Sequence, residues 1–460
     1  MSRRSLRRRA VAIVAALTTT AVVLSACSMG STAGEGTAVA VPELDPAQKV
    51  TIVFESYNYG LAGAWTDTFN TLIADFSKKH PDITVKAQKP QGNSPNPARD
   101  AISSVQNQSV AGSAPDVAQL GFGDFGFVVD QLGAQPLSAL FGTDAVEAHF
   151  AERHPYASSV RTLGVSDGVT FGIPFVMSTP VFYYNADLFR RAGLDPDKPP
   201  ATWDEVAGAA RAIAARTGKG GVYIDCLTKS ATDWCYQSLI RSAGGQVISP
   251  DRTTLSFADP AAIAVTTMAQ QLVKSGGTPA FTQKQGYEAF TRGDMGMILE
   301  SSSMQATFLG GAKDKWELRA APMPAFGQHP TVPTNSGVAL YIFAKDPAKQ
   351  RAAWELIRYL TGNDAFTTIA KGIGYLPLRT GLVDDPAHLS EWARENRGLI
   401  DPNLDQLQRL EPWRSMPGNS YKQIQSNLMT AVEKVVYQGA DPQAALSEAQ
   451  RQSTRLMPAR

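Results

Sequence analysis

Apolar and polar positions change rhythm early in the chain. Val50-Thr51-Ile52-Val53-Phe54 is a short, mostly apolar run of strand length. A polar turn follows, Glu55-Ser56-Tyr57-Asn58-Tyr59-Gly60. Trp65, Phe69, Leu72, Ile73 and Phe76 then recur at helical spacing, which predicts a helix from Trp65 to Lys78. His80-Pro81-Asp82 stops it, and Ile83 to Ala87 reads as a second strand. Asp100 to Gln108 as helix and Pro115 to Leu120 as strand repeat the unit. Strand, helix and strand in this order predict an α/β sheet.

The stretch Thr170 to Leu194 departs from that rhythm. A strand, Thr170 to Pro174, and a second, Val181 to Tyr184, flank the polar knot Met177-Ser178-Thr179-Pro180. Proline cannot donate to a sheet ladder, so Pro174 and Pro180 belong at strand ends or edges. Two strands around a proline-marked break predict a chain passing from one sheet to another, as at a hinge. Thr202 with Glu205 three residues on forms a capping box and starts a helix. Later helices are expected over Ala262 to Ser275, Pro347 to Leu360, Gln423 to Tyr437 and Pro442 to Arg455. Tyr287 to Arg292 leads into a strand, Met295 to Leu299, and Val338 to Phe343 is another.

Length and charge narrow the picture. The 460 residues suffice for two or more domains. Residues 1–26 hold five Arg and no acid, leaving 38 basic against 42 acidic residues beyond them. That balance argues against a nucleic-acid footprint. Arg3 to Arg9 followed by the apolar Ala10 to Val23 reads as a signal peptide, 1–26. A transmembrane anchor fits less well, because the run is short and holds Thr18-Thr19-Thr20. Ser2-Arg3-Arg4 also hints at twin-arginine export. Leu24-Ser25-Ala26-Cys27 resembles the lipobox of bacterial lipoproteins, with Cys27 lipidated, and residues 27–47 read as a flexible tether. With Cys27 so used, Cys226 and Cys235 are an even pair in an oxidising compartment, which predicts a disulfide.

Several segments together resemble a known family. They are Phe76-Ser77-Lys78-Lys79-His80-Pro81-Asp82-Ile83, Ala114-Pro115-Asp116-Val117, Tyr183-Tyr184-Asn185-Ala186-Asp187-Leu188-Phe189 with Ala192-Gly193-Leu194, and Pro200 to Glu205. Later come Phe290-Thr291-Arg292-Gly293-Asp294-Met295-Gly296-Met297 and Gly374-Tyr375-Leu376-Pro377. Their order and spacing resemble extracellular solute-binding proteins (family 1) of ATP-driven ABC importers, of the type that takes sugars and glycerol phosphates. The resemblance covers most of the chain after residue 48. It implies an α/β, two-lobed, periplasmic-binding-protein-like fold (type II) with three hinge crossings. Those crossings map near Phe175–Ser178, Ser336–Val338 and Leu376–Thr380. Lobe 1 is then 48–176 plus 337–377, and lobe 2 is 177–336 plus 378–460.

Ligands of such lobes sit at the carboxyl ends of strands. Aromatic faces and placed polar groups suit sugar rings. The turn after the first strand offers Ser56, Tyr57 and Asn58. Gly121-Phe122-Gly123-Asp124-Phe125-Gly126 matches GxGxxG after a strand, but at the third strand rather than the first. Its glycines are expected to let backbone approach a ligand, with Asp124 accepting hydroxyl protons. Ser178 and Thr179 lie at the first crossing. Ser302 and Ser303 follow Glu300 at a strand-to-helix turn, where hydroxyls and open amides suit a hydroxyl or phosphate ligand. Trp234 looks like the family's stacking aromatic, and Tyr375 belongs to the third crossing. In the glycerol-phosphate branch an arginine near Trp413 holds the phosphate, and Arg414 looks similar, although an Arg fork also suits sugar hydroxyls.

Catalysis has little support. The five His form no HExxH, and no GxSxG elbow or Walker A loop is present. Paired carboxylates of a secreted carbohydrate-active enzyme remain an alternative. The expectation is a monomeric, exported, lipid-anchored binding protein, not an enzyme. It would need no cofactor or metal. It would capture a sugar or oligosaccharide by hinge closure and deliver it to ABC permease subunits in the membrane. Glycerol-3-phosphate or a glycerophosphodiester is the second ligand class.

Overall fold

A computed structural model describes residues 41–61, 63–93, 97–228 and 231–459. Cys27, the leader and most of the tether lie outside the described residues. The strands that carry the architecture are β1 (Val50–Glu55), β2 (Ile83–Gln88), β3 (Val117–Gly121), β4 (Gly172–Ser178) and β5 (Pro180–Asn185). They continue with β6 (Gly220–Ile224), β7 (Met295–Ser301), β8 (Leu318–Ala321) and β9 (Ser336–Ile342). One sheet runs β2-β1-β3-β9-β4 and the other β8-β5-β7-β6.

In the first sheet β1 lies parallel to β2 and β3, with Val50 beside Ile83. The intervening helices Ala64–Lys79 and Pro97–Val110 are the crossovers that parallel strands require. β9 and β4 complete the sheet antiparallel. Pro174 lies in β4, at the sheet edge, beside an irregularity between Val338 and Ala339. Pro180 is the first residue of β5. Both are positions where a missing N–H costs little.

The second sheet is covered on both faces. On β5, Phe182 and Tyr184 enter one core with Val222, Met297 and Leu299, while Val181 and Tyr183 enter another with Tyr223 and Ile298. This explains an apolar run without polar alternation. The first sheet has its own core around Ile52, Phe54, Phe69, Leu120, Phe175 and Trp354. One core around the first sheet and two flanking the second define two lobes. The Thr202–Glu205 capping box forms as read, and the helix Trp203–Thr217 ends on left-handed Gly218.

Two crossings run side by side. The first is Thr179, between β4 and β5, just after the expected Phe175–Ser178, which lies within β4; the second is the segment 322–335 leading into β9, just before the expected Ser336–Val338, which lies within β9. Ser336 stands opposite Ser178. Gln406, from the helix Ser390–Leu407, clamps both: Nε2 donates to the Pro180 carbonyl at 2.8 Å, and Oε1 accepts from the Met323 N–H at 3.0 Å.

The third crossing differs from expectation. Leu378, Leu382, Leu389, Leu407 and Leu410 pack into the first core, whereas Met416, Tyr421 and Ile424 pack into the second. The chain therefore changes lobe after Leu410, not at Leu376–Thr380. The helix Ser390–Leu407 also lies against β8 and β5 of the second sheet, whereas residues 378–389, assigned to lobe 2 from sequence, pack with lobe 1. The fully buried Arg379 holds them there by donating to the carbonyls of His149, His154 and Thr361 at 2.7, 2.8 and 3.0 Å.

Candidate functional site

A cavity of about 560 Å3 opens between the lobes at the crossings. Tyr57, Gln119 and Tyr375 wall it from the first lobe, Asp225, Trp234 and Ser303 from the second, and Ser178, Ser336 and Gly337 from the crossings. Its size suits a small organic solute.

The first-lobe wall is built on the β1 and β3 ends. Gln119 Oε1 accepts from the Ser56 hydroxyl and from Asn58 Nδ2, the latter at 2.9 Å. Gln119 Nε2 is buried without a partner. Tyr57 and Tyr375 stand close enough to influence each other, and burial raises both phenols above the ordinary tyrosine value.

The second-lobe wall holds two acids side by side. Ile224 pairs with Leu299 in parallel register, so Asp225 and Glu300 follow at matching places. Gln283 Nε2 donates to Asp225 Oδ2 at 3.0 Å, while Asp225 Oδ1 and Glu300 Oε2 are buried without partners. Burial raises the Asp225 carboxyl to about 6, against the lowering effect of its hydrogen bond from Gln283. Burial first, and then Asp225, push Glu300 well above the carboxylate range. Two adjoining buried acids do not both ionise readily. The folded state holds the Asp225 proton more tightly than the unfolded chain does. Its stabilising contribution is thus complete below the ordinary carboxylate range and is lost as pH rises through about 6. Asp225→Asn removes the Asp225 share of this loss and leaves that of the buried Glu300, so the variant's melting temperature falls less steeply from about pH 4 to pH 6 than that of the parent. Parallel melting profiles for the two proteins would sink the assignment.

Contacts across the cleft cluster beside the cavity. Tyr421 donates to Asp124 Oδ1 at 2.5 Å, and the Lys422 ammonium lies 3.8 Å from the same atom. The Trp413 indole lies over Gly123, where a Cβ would stand 2.1 Å from the ring. Its Nε1 donates to Asp233 Oδ1 at 3.0 Å and its backbone N–H to Asn335 Oδ1 at 2.9 Å. Gly126 likewise leaves room for the Arg252 guanidinium. Gly123 and Gly126 of the GxGxxG segment thus admit second-lobe side chains, while Gly121 and Gly123 also line the cavity.

A profile of bacterial extracellular solute-binding proteins matches residues 71–396. This chain belongs to that family. The sn-glycerol-3-phosphate-binding periplasmic protein UgpB of Pectobacterium atrosepticum is 25% identical over 333 residues, covering 70% of this chain and 72% of that protein. A putative binding protein of Brucella abortus is 25% identical over 273 residues, covering 58% of this chain and 63% of its own length. The match therefore spans under two thirds of that relative. Among solved structures, UgpB of Mycobacterium tuberculosis in complex with glycerophosphocholine superposes with a TM-score of 0.75 at 21% identity, covering 89% of this chain and 98% of that one. The cyclic alpha-maltosyl-1,6-maltose binding protein of Arthrobacter globiformis superposes at 0.73 with 22% identity, covering 89% and 98%. The fold is that of two-lobed periplasmic binding proteins.

Placed in this solute-binding fold, the residues singled out from sequence separate. Tyr57, Asp124, Ser178, Trp234, Ser303, Tyr375 and Trp413 line the cavity. Ser56, Asn58, Ser302 and Arg414 do not. Ser56 and Asn58 are buried behind Gln119. The Ser302 hydroxyl accepts from the Thr179 N–H at 3.3 Å. Arg414 turns into its own lobe, with Nη1 donating to Gln246 Oε1 at 3.2 Å. Burial lowers its pKa. Trp234 opens the helix Trp234–Ser242, and Cys226 and Cys235 are joined in a disulfide with Cα atoms 5.4 Å apart. Gln119 and Asp225 were missed, although each is a polar residue within or at the end of an apolar strand run. Tyr421 and Lys422 open an amphipathic helix and carry no such signal.

Proposed function

We propose that this protein captures a neutral, hydroxyl-rich solute, a sugar or oligosaccharide, for an ABC importer. The observation that carries the reading is the cavity wall itself. Four aromatic residues, Tyr57, Trp234, Tyr375 and Trp413, surround two buried polar groups, Gln119 Nε2 and Asp225 Oδ1, that lack partners. Apolar sugar faces stack on such rings, and hydroxyls supply both the donor and the acceptor these atoms want. A ligand touching both lobes favours the closed arrangement by its differential affinity, which is the capture mechanism.

Glycerol-3-phosphate or a glycerophosphodiester is the second reading. Arg99 and Lys422 on the cavity wall favour it, and the engagement of Arg414 elsewhere counts against it. Docking on permease subunits and release of solute without chemical change are part of this proposal, as are a monomeric state and export with a lipid anchor at Cys27, which the Leu24-Ser25-Ala26-Cys27 sequence supports.

A thermal-shift screen followed by calorimetry decides between the two. Binding stabilises by about 2.7 kcal/mol at a hundredfold excess over Kd. Malto-oligosaccharides are expected to raise the melting temperature, Gln119→Ala to weaken the effect and Arg414→Ala to leave it unchanged. Binding confined to glycerol-3-phosphate or glycerophosphocholine would reject the sugar reading. Product formed from a glycoside would reject the binding role itself.

A further inference from the structure

We propose that His154, Asp385 and His388 form a site for a zinc-class divalent ion, which clips the segment after Arg379 to the first lobe. One ligand atom from each residue lies within 4.8 Å of the other two. His154 follows the helix Thr143–Phe150, whereas Asp385 and His388 follow the turn Thr380–Asp384, so the site joins two distant stretches of chain. It lies apart from the cavity lining.

The donor set fits the ion. Two imidazole nitrogens and one carboxylate oxygen suit zinc and its neighbours, whereas magnesium and calcium prefer oxygen throughout. Bonds of about 2.0–2.1 Å place neighbouring tetrahedral ligands about 3.4 Å apart. His154 Nε2 and Asp385 Oδ2 stand 2.8 Å apart as a hydrogen bond. A small outward shift opens that pair around an ion, and water completes the coordination.

The supporting shell is already built. The Ala387 N–H donates to Asp385 Oδ1 at 2.8 Å, while Oδ2 faces His154. His388 Nδ1 meets the Thr367 hydroxyl at 3.2 Å, and the His388 N–H donates to the Asp385 carbonyl at 3.0 Å. Arg379 fixes the His154 carbonyl at 2.8 Å. Gly381 admits the imidazole, since a Cβ there would stand 3.0 Å from His154 Nδ1. Outer partners of this kind orient ligands and hold affinity. Against the ion stands Arg153, whose guanidinium lies 3.9 Å from Asp385 Oδ2. Its side chain is 83% exposed and can swing into solvent.

The test is calorimetric titration of the untagged full chain with zinc chloride, paired with thermal melts. One equivalent of zinc should bind, the melting temperature should rise, and chelator should reverse both. His388→Ala and Asp385→Asn should each abolish the uptake and the rise. Arg153→Ala keeps every ligand and removes the competing cation, so it should bind zinc more tightly. No uptake by the parent protein at millimolar zinc would overturn the site. So would uptake unchanged in His388→Ala, a variant whose metal-free melting temperature should match the parent. Magnesium chloride should have no effect, and equal stabilisation by it would also reject the assignment.

Discussion

Arg379→Ala lowers the stability of the protein by about 3–5 kcal/mol, the loss expected when one partner of a buried charged network is removed. The guanidinium is fully buried. It donates to three backbone carbonyls, lies 3.2 Å from Glu152 Oε2 and stacks 4.7 Å from the Tyr156 ring centre. Truncation leaves the carbonyls of His149, His154 and Thr361 without this donor and opens a void beneath Tyr156. Each unsatisfied buried acceptor costs about 1–3 kcal/mol. Arg397→Ala is the control. Arg397 pairs with Asp384 and Asp401, yet its side chain is 45% exposed. Its loss costs under about 1 kcal/mol. Urea unfolding of the two variants measures the contrast, and equal midpoints would show that Arg379 does not hold the segment 378–389 to the first lobe.

Gly337→Ala destabilises by at least about 1–3 kcal/mol and disturbs closure. Gly337 has φ of 120°, a left-handed region that a side chain resists. A Cβ there would stand 2.2 Å from the Val176 carbonyl oxygen. The obstacle is backbone of the neighbouring crossing strand, so no rotamer change relieves it. β4 and β9 pair at Ser178 and Ser336, where the two crossings run together next to the cavity. Gly398→Ala gives the opposite sign. Gly398 lies inside the helix Ser390–Leu407 with nothing near its missing Cβ, and alanine there stabilises by about 0.5–1 kcal/mol. Denaturation gives both signs, and small-angle scattering reads the expected loosening in Gly337→Ala. A Gly337→Ala protein as stable and compact as the parent would remove the crossing pair from the hinge.

Local rules reach a long way into this fold. The helix Pro347–Leu360 and the capping box at Thr202 follow from spacing and end chemistry within a few residues. The first crossing was legible because Pro180 can begin a strand but cannot continue one from β4. The third was not. Leu378, Leu389 and Leu410 are apolar whichever lobe they serve, and nothing local to them names a partner. Arg379 had no distinguishing mark either, since its three acceptors are backbone carbonyls with no sequence identity.

The site shows the same division. Period, proline, glycine and capping residues determined, from sequence alone, an α/β sheet, a break within Met177–Pro180 and polar, aromatic turns at strand ends, while the two lobes were what the family resemblance implied. These are short-range effects, set by the backbone and by neighbours within a few positions. Only the tertiary structure decided which polar groups reach the cavity. Ser56 and Asn58 spend their hydrogen bonds on Gln119, Arg414 spends its on Gln246, and Gln119 Nε2 and Asp225 Oδ1 are left over. A side chain's availability depends on what packing has already paired it with, and those partners come from strands and helices far away in sequence.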